Sequence, residues 1–370
     1  MVAMEVVTVT ETETETEIKA KTKTEAEAEA EIETETDRLD DEYEVLVIGG
    51  GAAGLNGALM LARSRRKVAV IDAGAPRNAP AEGVHGLLAR DGMPPAELLK
   101  RGRAEVRSYG GHVVAGVVAD VADMADVSVV VDVAKVAKVK HKDAFEVTLT
   151  DGRTSRASRL LITTGLVDEL PNLPGIRERW GRDVIHCPYC HGWEARDKAI
   201  GILGTSPMSV HQAQLFRQLS DNVVLFTALP LTDDQREQLA ARDIGVVETE
   251  ITALEVTDDR LTGVRLADGT THNLEVIAIG PKSTIRADFL TQIGLHPTDH
   301  PSGMGEHIPA DPTGRSTVPG IWLAGNVTDP SAQVGTAAAA GAMAGAQINF
   351  DLVAEETKTA VAAHQQPSSD

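Results

Sequence analysis

The sequence predicts an α/β protein with two dinucleotide-binding, Rossmann-like domains, and three observations predict it. A strand, a glycine turn, a helix and a second strand follow one another from about residue 43, and the same order recurs from about residue 198. Both cysteines of the chain lie between these two openings, spaced C-x-x-C. The length of 370 residues suits two domains or one very large one. With 42% hydrophobic and 24% charged residues, the chain can bury a sizeable core.

The ordered part is expected to begin at Tyr43. Residues 1–42 carry 15 acidic and 4 basic side chains, more than half of the formal net charge of −20. Thr-Glu repeats from Thr10 to Glu17 and Ala-Glu from Glu25 to Glu31, so the segment has almost nothing to bury. It reads as a disordered, solvating acidic tail.

Glu44–Ile48 is a β-branched apolar run of strand length. It enters Gly49-Gly50-Gly51-Ala52-Ala53-Gly54, whose glycines at 49, 51 and 54 make G-x-G-x-x-G. Leu55–Arg65 reads as a helix, and Lys67–Ile71 as a second strand ending at Asp72. Gly49 makes the tight turn, Gly51 lets a pyrophosphate approach the backbone, and Gly54 lets helix pack on strand. The helix N-terminus faces the phosphates and Asp72 takes the ribose hydroxyls. The glycine pattern alone is weak, and the surrounding strand, helix, strand and acid make it specific. Ala96–Tyr109 reads as a charged amphipathic helix and Val113–Leu149 as a small antiparallel sheet. Val117–Lys140 within it looks like a low-complexity expansion.

A strand over Asp183–Ile185 leads to His186-Cys187-Pro188-Tyr189-Cys190-His191-Gly192. Four zinc ligands within six positions leave one short loop little room to close a tetrahedron, and no metal site is expected. A pair cycling between dithiol and disulfide fits better. His191, beside Cys190, is the natural acid/base for it. His186 is a weaker candidate that ends the strand, and His85 and His211 read as ordinary surface or packing residues.

The second opening is eroded. Lys198–Leu203 is a strand, Val210–Leu219 a helix and Asn222–Thr227 the next strand, but the slots for the second and third glycines hold Ser206 and Ser209. Thr227-Ala228-Leu229-Pro230 supplies neither the acid an NAD site needs nor the arginine an NADP site needs. The domain reads as one that keeps its fold and binds nicotinamide poorly or not at all. Val276–Ile279 reads as a buried strand closed by Gly280, and Lys358–Asp370 as a polar C-terminal tail.

Several classes are excluded. The acidic balance argues against nucleic acid, and two cysteines rule out a disulfide-stapled secreted scaffold. No apolar run is long enough to span a bilayer, the stretch Thr336–Ala346 included. No basic-then-apolar leader opens the chain, so a cytoplasmic protein without a membrane partner is expected.

A dinucleotide fingerprint followed by a redox C-x-x-C that opens a second dinucleotide domain resembles the low-molecular-weight thioredoxin reductase family, over about residues 43–350. Thr163-Thr164-Gly165 is similar to that family's A-T-G stretch. Asp311–Gly314 with Val318–Asn326 is similar to its late G-[IV]-[FWY]-A-A-G-D segment. Gln333, followed by Gly335-Thr336-Ala337-Ala338, resembles the segment whose helix lies beneath a flavin ring. The resemblance implies FAD in a discontinuous first domain, 43–166 plus 289–350. The second domain, 167–288, would be inserted, and 351–370 would remain as a tail. It implies FAD contacts at Gly49, Gly51, Gly54, Asp72, Thr164, Gly165, Gly325, Asn326 and Gln333, and a homodimer.

Three departures set the subclass. The family's C-A-T-C-D-G becomes Cys187-Pro188-Tyr189-Cys190-His191-Gly192, with His191 in the acid's position. Its H-R-R becomes Thr227-Ala228-Leu229. Its late Asp becomes Asn326, which still donates and accepts hydrogen bonds. The first two resemble a branch of dithiol oxidases from fungal and actinobacterial natural-product pathways, which close a disulfide in small sulfur metabolites of the gliotoxin and holomycin type. So do Arg77-Asn78-Ala79-Pro80, His85-Gly86 and Arg90-Asp91-Gly92. The implied catalytic set is Cys187, attacked by the substrate dithiol, Cys190, facing FAD, and His191, with dioxygen as final acceptor. The use of NADPH stays open. The alternative is an NADPH-dependent reductase of a thioredoxin-like protein, with Arg217 or Arg236 meeting the cofactor phosphate. A third is a non-catalytic flavoprotein that senses redox state.

Overall fold

The computed structural model describes residues 38–123, 145–286 and 288–365. The acidic tail up to residue 37 and most of the low-complexity stretch, 124–144, lie outside the described residues.

The first domain grows from β1 (Glu42–Ile48), α1 (Ala52–Arg63) and β2 (Val68–Asp72). Val45, Leu46, Val47 and Ile48 are all buried, the run expected of a parallel strand covered on both faces. After α2 (Pro95–Ser108), β3 (His112–Ala115) joins β2 in parallel. The sequence assigned this strand to a separate antiparallel sheet. It belongs to the parallel sheet because Val113 and Val114 are both buried, one on each face. Within this sheet the antiparallel pairs are β4 (Val118–Asp123) with β5 (Phe145–Leu149) and β5 with β6 (Thr154–Ile162).

The chain leaves this domain along β7 (Leu166–Glu169). The insert holds β8 (Val184–Ile185), β9 (Ile200–Gly204), α3 (Met208–Phe216), β10 (Val223–Thr227), α4 (Asp233–Ala240) and β11 (Gly245–Val247). An antiparallel meander follows, β12 (Ile251–Thr257), β13 (Arg260–Leu266) and β14 (Thr271–Asn273), and then β15 (Val276–Ile279). The insert's parallel sheet has the order β11-β10-β9-β15-β8. The chain returns along β16 (Lys282–Ile285), which pairs antiparallel with β7, so a two-stranded ribbon joins the domains. After a small hairpin, β17 (Thr298–Asp299) and β18 (Glu306–His307), β19 (Ile321–Leu323) lies parallel to β6. The first sheet thus reads β3-β2-β1-β6-β5-β4, with β19 on β6. The protein consists of two Rossmann-like domains, the first of them discontinuous.

The last helix, α5 (Val334–His364), packs tightly on α1. A Cβ at Gly341 would lie 1.9 Å from the Ala53 carbonyl oxygen, and one at Gly345 2.5 Å from that of Gly57. The segment from 351 that the sequence assigned to a tail is helical through His364. Leu352 is buried, Arg159 bonds Asp351 (2.8 Å) and Glu355 (2.5 Å), and Arg66 pairs with Glu356. Its polar residues are ion-pair partners of the first domain. No described helix is long and apolar enough to cross a membrane.

Candidate active site

A cavity of about 1820 Å³ extends from the first glycine turn to the cysteine pair. Gly49 has φ +113°, and a Cβ there would lie 2.3 Å from the Thr163 carbonyl oxygen. The Thr163 hydroxyl donates to the carbonyls of Ile48 (3.1 Å) and Gly49 (2.8 Å), which pins the turn. A Cβ at Gly54 would lie 1.9 Å from the Gly49 oxygen, so only glycine lets α1 start this close to β1. Gly51 is the opposite case: a Cβ there would meet no described atom within 4 Å, because the residue faces the cavity. Gly50, which sequence reasoning passed over, rests against Asp72, where a Cβ would come within 2.4 Å of the carboxyl group. Asp72 accepts from the Gly74 N–H (3.0 Å) and lies 3.7 Å from Arg103.

Thr164 and Gly165 continue the wall, and Gly165 has φ +70°. The Thr164 hydroxyl is buried with no hydrogen-bond partner among the described residues. On the far side, Gly325 (φ +78°) precedes Asn326. The Asn326 amide nitrogen donates to the carbonyls of Asp329 (3.0 Å) and Ala332 (2.9 Å). That amide therefore shapes the loop leading to Gln333, and its oxygen is the atom left to meet a ligand. The open cradle at Gly51, the unpartnered Thr164 hydroxyl and the acid at the end of β2 fit FAD, which wants backbone room at its pyrophosphate and an acid at its ribose.

The cysteines come from the insert. β8 delivers His186 and Cys187 to the cavity, and Cys187 precedes a helical turn, Pro188–His191. Cys187 and Cys190 are disulfide-bonded with Cα atoms 5.2 Å apart. The Cys187 carbonyl accepts from the N–H groups of Cys190 (3.2 Å) and His191 (3.1 Å). Gly192 closes the turn, where a Cβ would lie 2.4 Å from Leu219. Gln333, at the N-terminus of α5, places its amide nitrogen 4.0 Å from the Cys187 sulfur. The redox pair of one domain thus meets the helix start of the other inside the cavity that Gly51 and Thr164 also line.

Both ring nitrogens of His191 are buried and have no hydrogen-bond partner among the described residues. Burial holds this imidazole below the usual histidine range, opposed by the charge of Glu194. His186 turns inward, with Nδ1 2.9 Å from the Ile279 carbonyl oxygen, and burial lowers its pKa as well. Sequence reasoning missed His85, whose ring lines the cavity between Asp91 (3.4 Å) and Glu194 (3.7 Å). It also missed Asp168, which Arg77 grips with two bonds of 2.7 Å. Glu194 lies in the other domain from His85, and Arg77 in the other domain from Asp168, so no local window joins these partners.

At the second opening, Ser209 accepts from the N–H groups of Thr205 (3.2 Å) and Ser206 (3.4 Å). The turn's donors are taken by its own side chain. The Thr227 hydroxyl accepts from the Leu229 N–H (3.0 Å). Arg217 lies beyond the opposite end of α3, bonded to the Arg242 carbonyl (2.8 Å) and paired with Asp221. Arg236 is paired with Glu248 at 2.6 Å.

Residues 43–365 match the pyridine nucleotide-disulphide oxidoreductase family. The crystal structure of HlmI is similar with a TM-score of 0.79 and 43% identity, over 88% of this chain and 97% of that one. An oxidoreductase from Agrobacterium tumefaciens follows at 0.75 and 34%, over 84% and 99%. Thioredoxin reductase sirT of Leptosphaeria maculans is 29% identical over 329 residues, 84% of this chain and 94% of that protein.

Proposed function

The chain belongs to the pyridine nucleotide-disulphide oxidoreductase family and is a flavin-dependent disulfide oxidoreductase, and we propose that it oxidises a small-molecule dithiol to a disulfide with dioxygen as final acceptor. One contrast carries this reading. Both dinucleotide openings line the cavity that holds the cysteine pair, but the first presents an open cradle, whereas the N–H groups of Thr205 and Ser206 at the second are bonded to the Ser209 hydroxyl.

Gly49, Gly51, Thr164 and Asp72 would hold FAD. Bound there, it would take an electron pair from the reduced cysteines and pass it to dioxygen, giving peroxide. The protein's own residues handle the sulfur chemistry. His191 takes the proton of the first substrate thiol, whose sulfur attacks the Cys187 sulfur; the bond to Cys190 breaks, and Cys190 keeps the electron pair. His191 takes the proton of the second thiol, whose sulfur attacks the first substrate sulfur, and Cys187 leaves as a thiolate. Its two unpartnered buried nitrogens suit that task, since burial keeps the ring neutral and able to accept.

A second reading, an NADPH-dependent reductase of a thioredoxin-like protein, draws support from Tyr189 and Trp193. These side chains are exposed on and just beyond the cysteine turn, where a protein partner could dock. An anaerobic titration separates the two. Bleaching of the flavin band by dithiothreitol and not by NADPH supports the oxidase, and prompt bleaching by NADPH refutes it.

A further inference from the structure

We propose that His85 is the proton outlet of this site, discharging His191 between the two thiol deprotonations of each turnover; this rests on the dithiol-oxidase reading above. Closing a dithiol to a disulfide removes two protons and two electrons, and the reduction of dioxygen to peroxide takes two protons back up from solvent. The electrons pass to the cysteine pair, and each substrate thiol gives up its proton before its sulfur forms a bond. A neutral imidazole accepts one proton, so His191 must be emptied before it serves again. It has no hydrogen-bonded exit of its own among the described residues.

His85 and His186 line the same cavity as His191, and Glu194 follows His191 by three residues. His186 leads inward, to the Ile279 carbonyl and to the Arg77–Asp168 pair, whose charges act on it. His85 leads outward. Its ring stands in the wall of the same cavity, with Nδ1 facing Asp91 and Nε2 facing Glu194. Those carboxylates are 70% and 48% exposed, so the contacts end in solvent. Glu194 lies just past the turn that carries His191, so His85 touches the segment it would discharge.

The loop is built to hold this position. Val84 donates to the Met93 carbonyl and Gly92 to that of Val84, each at 2.8 Å, closing the loop at its base. The Gly86 N–H donates to Asp91 (2.9 Å). That bond, with His85, holds the Asp91 carboxyl below the usual range, so it stays ionised as an acceptor. Core packing holds only the base of the loop, where Val84 is buried, because Leu88 at its tip is almost fully exposed. It crosses from the first domain and meets the insert beside the reacting sulfurs.

The chain has only two cysteines, so alkylation reports their reduction directly. The holoenzyme is mixed anaerobically with dithiothreitol, quenched with N-ethylmaleimide, and its doubly alkylated fraction followed by mass, between about pH 6 and 9. His85→Gln is expected to slow reduction about tenfold or more and to recover rate in proportion to added imidazole. Glu194→Gln is expected to slow it less, with the same rescue, and decides the matter if His85→Gln fails to fold. Reduction of both variants at the wild-type rate, or a slowing that imidazole does not relieve, overturns the outlet. Wild-type flavin that bleaches with NADPH and not with dithiol would remove the oxidase reading, and this proposal with it.

Discussion

Gly51 and Gly54 stand three residues apart in one motif, and replacing each by alanine is expected to have separable effects. At Gly51 the backbone has φ −77°, which any residue adopts, and a new Cβ meets nothing within 4 Å. Gly51→Ala is therefore expected to leave apoprotein stability within about 0.5 kcal/mol of wild type. The added methyl projects into the space assigned to the FAD pyrophosphate. Displacing one charge-assisted hydrogen bond there costs about 1.5–3 kcal/mol, or roughly 10- to 150-fold in affinity. At Gly54 the new Cβ would lie 1.9 Å from the Gly49 oxygen and 2.6 Å from the Thr163 hydroxyl. The start of α1 must lift away, at an overpacking cost of about 1–3 kcal/mol. Stability and FAD affinity are then expected to fall together. Thermal melts of the apoproteins and fluorescence titration with FAD measure the two quantities. Wild-type FAD affinity in Gly51→Ala would show that the pyrophosphate does not pass that residue, and the cradle assignment would fail.

Three further outcomes follow from the same geometry. Cys190→Ser should keep its FAD and lose dithiol-dependent peroxide formation, and full turnover would end the proposed sulfur chemistry. Arg77→Ala should destabilise the protein by about 2–3 kcal/mol, less than a fully buried pair would lose because the arginine is partly exposed, as read from the urea midpoint. An unchanged midpoint would show that the Arg77–Asp168 bonds contribute nothing. His186 and His191 both have pKa values lowered by burial, so the unfolded chain binds protons first as pH falls. Their contribution is full above the unfolded value of about 6.5 and is lost as pH falls below it towards the folded values. The urea midpoint should therefore drop between pH 7.5 and 5.5, and a flat profile would contradict the burial of both rings.

What the sequence made legible was local. The first glycine turn could be read because its requirements lie within one strand–turn–helix unit, and the cysteine turn because Cys187 to Gly192 contains its own hydrogen bonds. What it hid depends on distant partners. The polar stretch after residue 351 looked like a tail because Arg66 and Arg159, which ion-pair with it, lie far back in the chain. The placement of β3 was missed because its burial on both faces is decided by β2 and by helices that no window around Val113 contains. His85 looked ordinary for the same reason: Glu194 reaches it only after the insert has folded back over the first domain. Gly50 went unremarked because the three motif glycines account for the pattern, while its own contact is with Asp72 on the next strand.

The two dinucleotide openings share a topology and differ in who satisfies their donors. At the first, Gly51 caps α1 with no side-chain hydrogen bond, so the turn's N–H groups stay available to a ligand. At the second, the residue in the third glycine slot, Ser209, turns back onto the N–H groups of Thr205 and Ser206. A phosphate would have to displace that hydroxyl, and Thr227-Ala228-Leu229 supplies no cation to offset the cost. Ser209→Ala is therefore expected to cost about 1 kcal/mol in stability by removing the hydrogen bonds from Thr205 and Ser206, without making the flavin reducible by NADPH. If that one change did bring prompt bleaching by NADPH, the serine alone would have been the barrier. The missing charge after β10 would then be irrelevant, and the contrast between the two openings would no longer favour the oxidase reading.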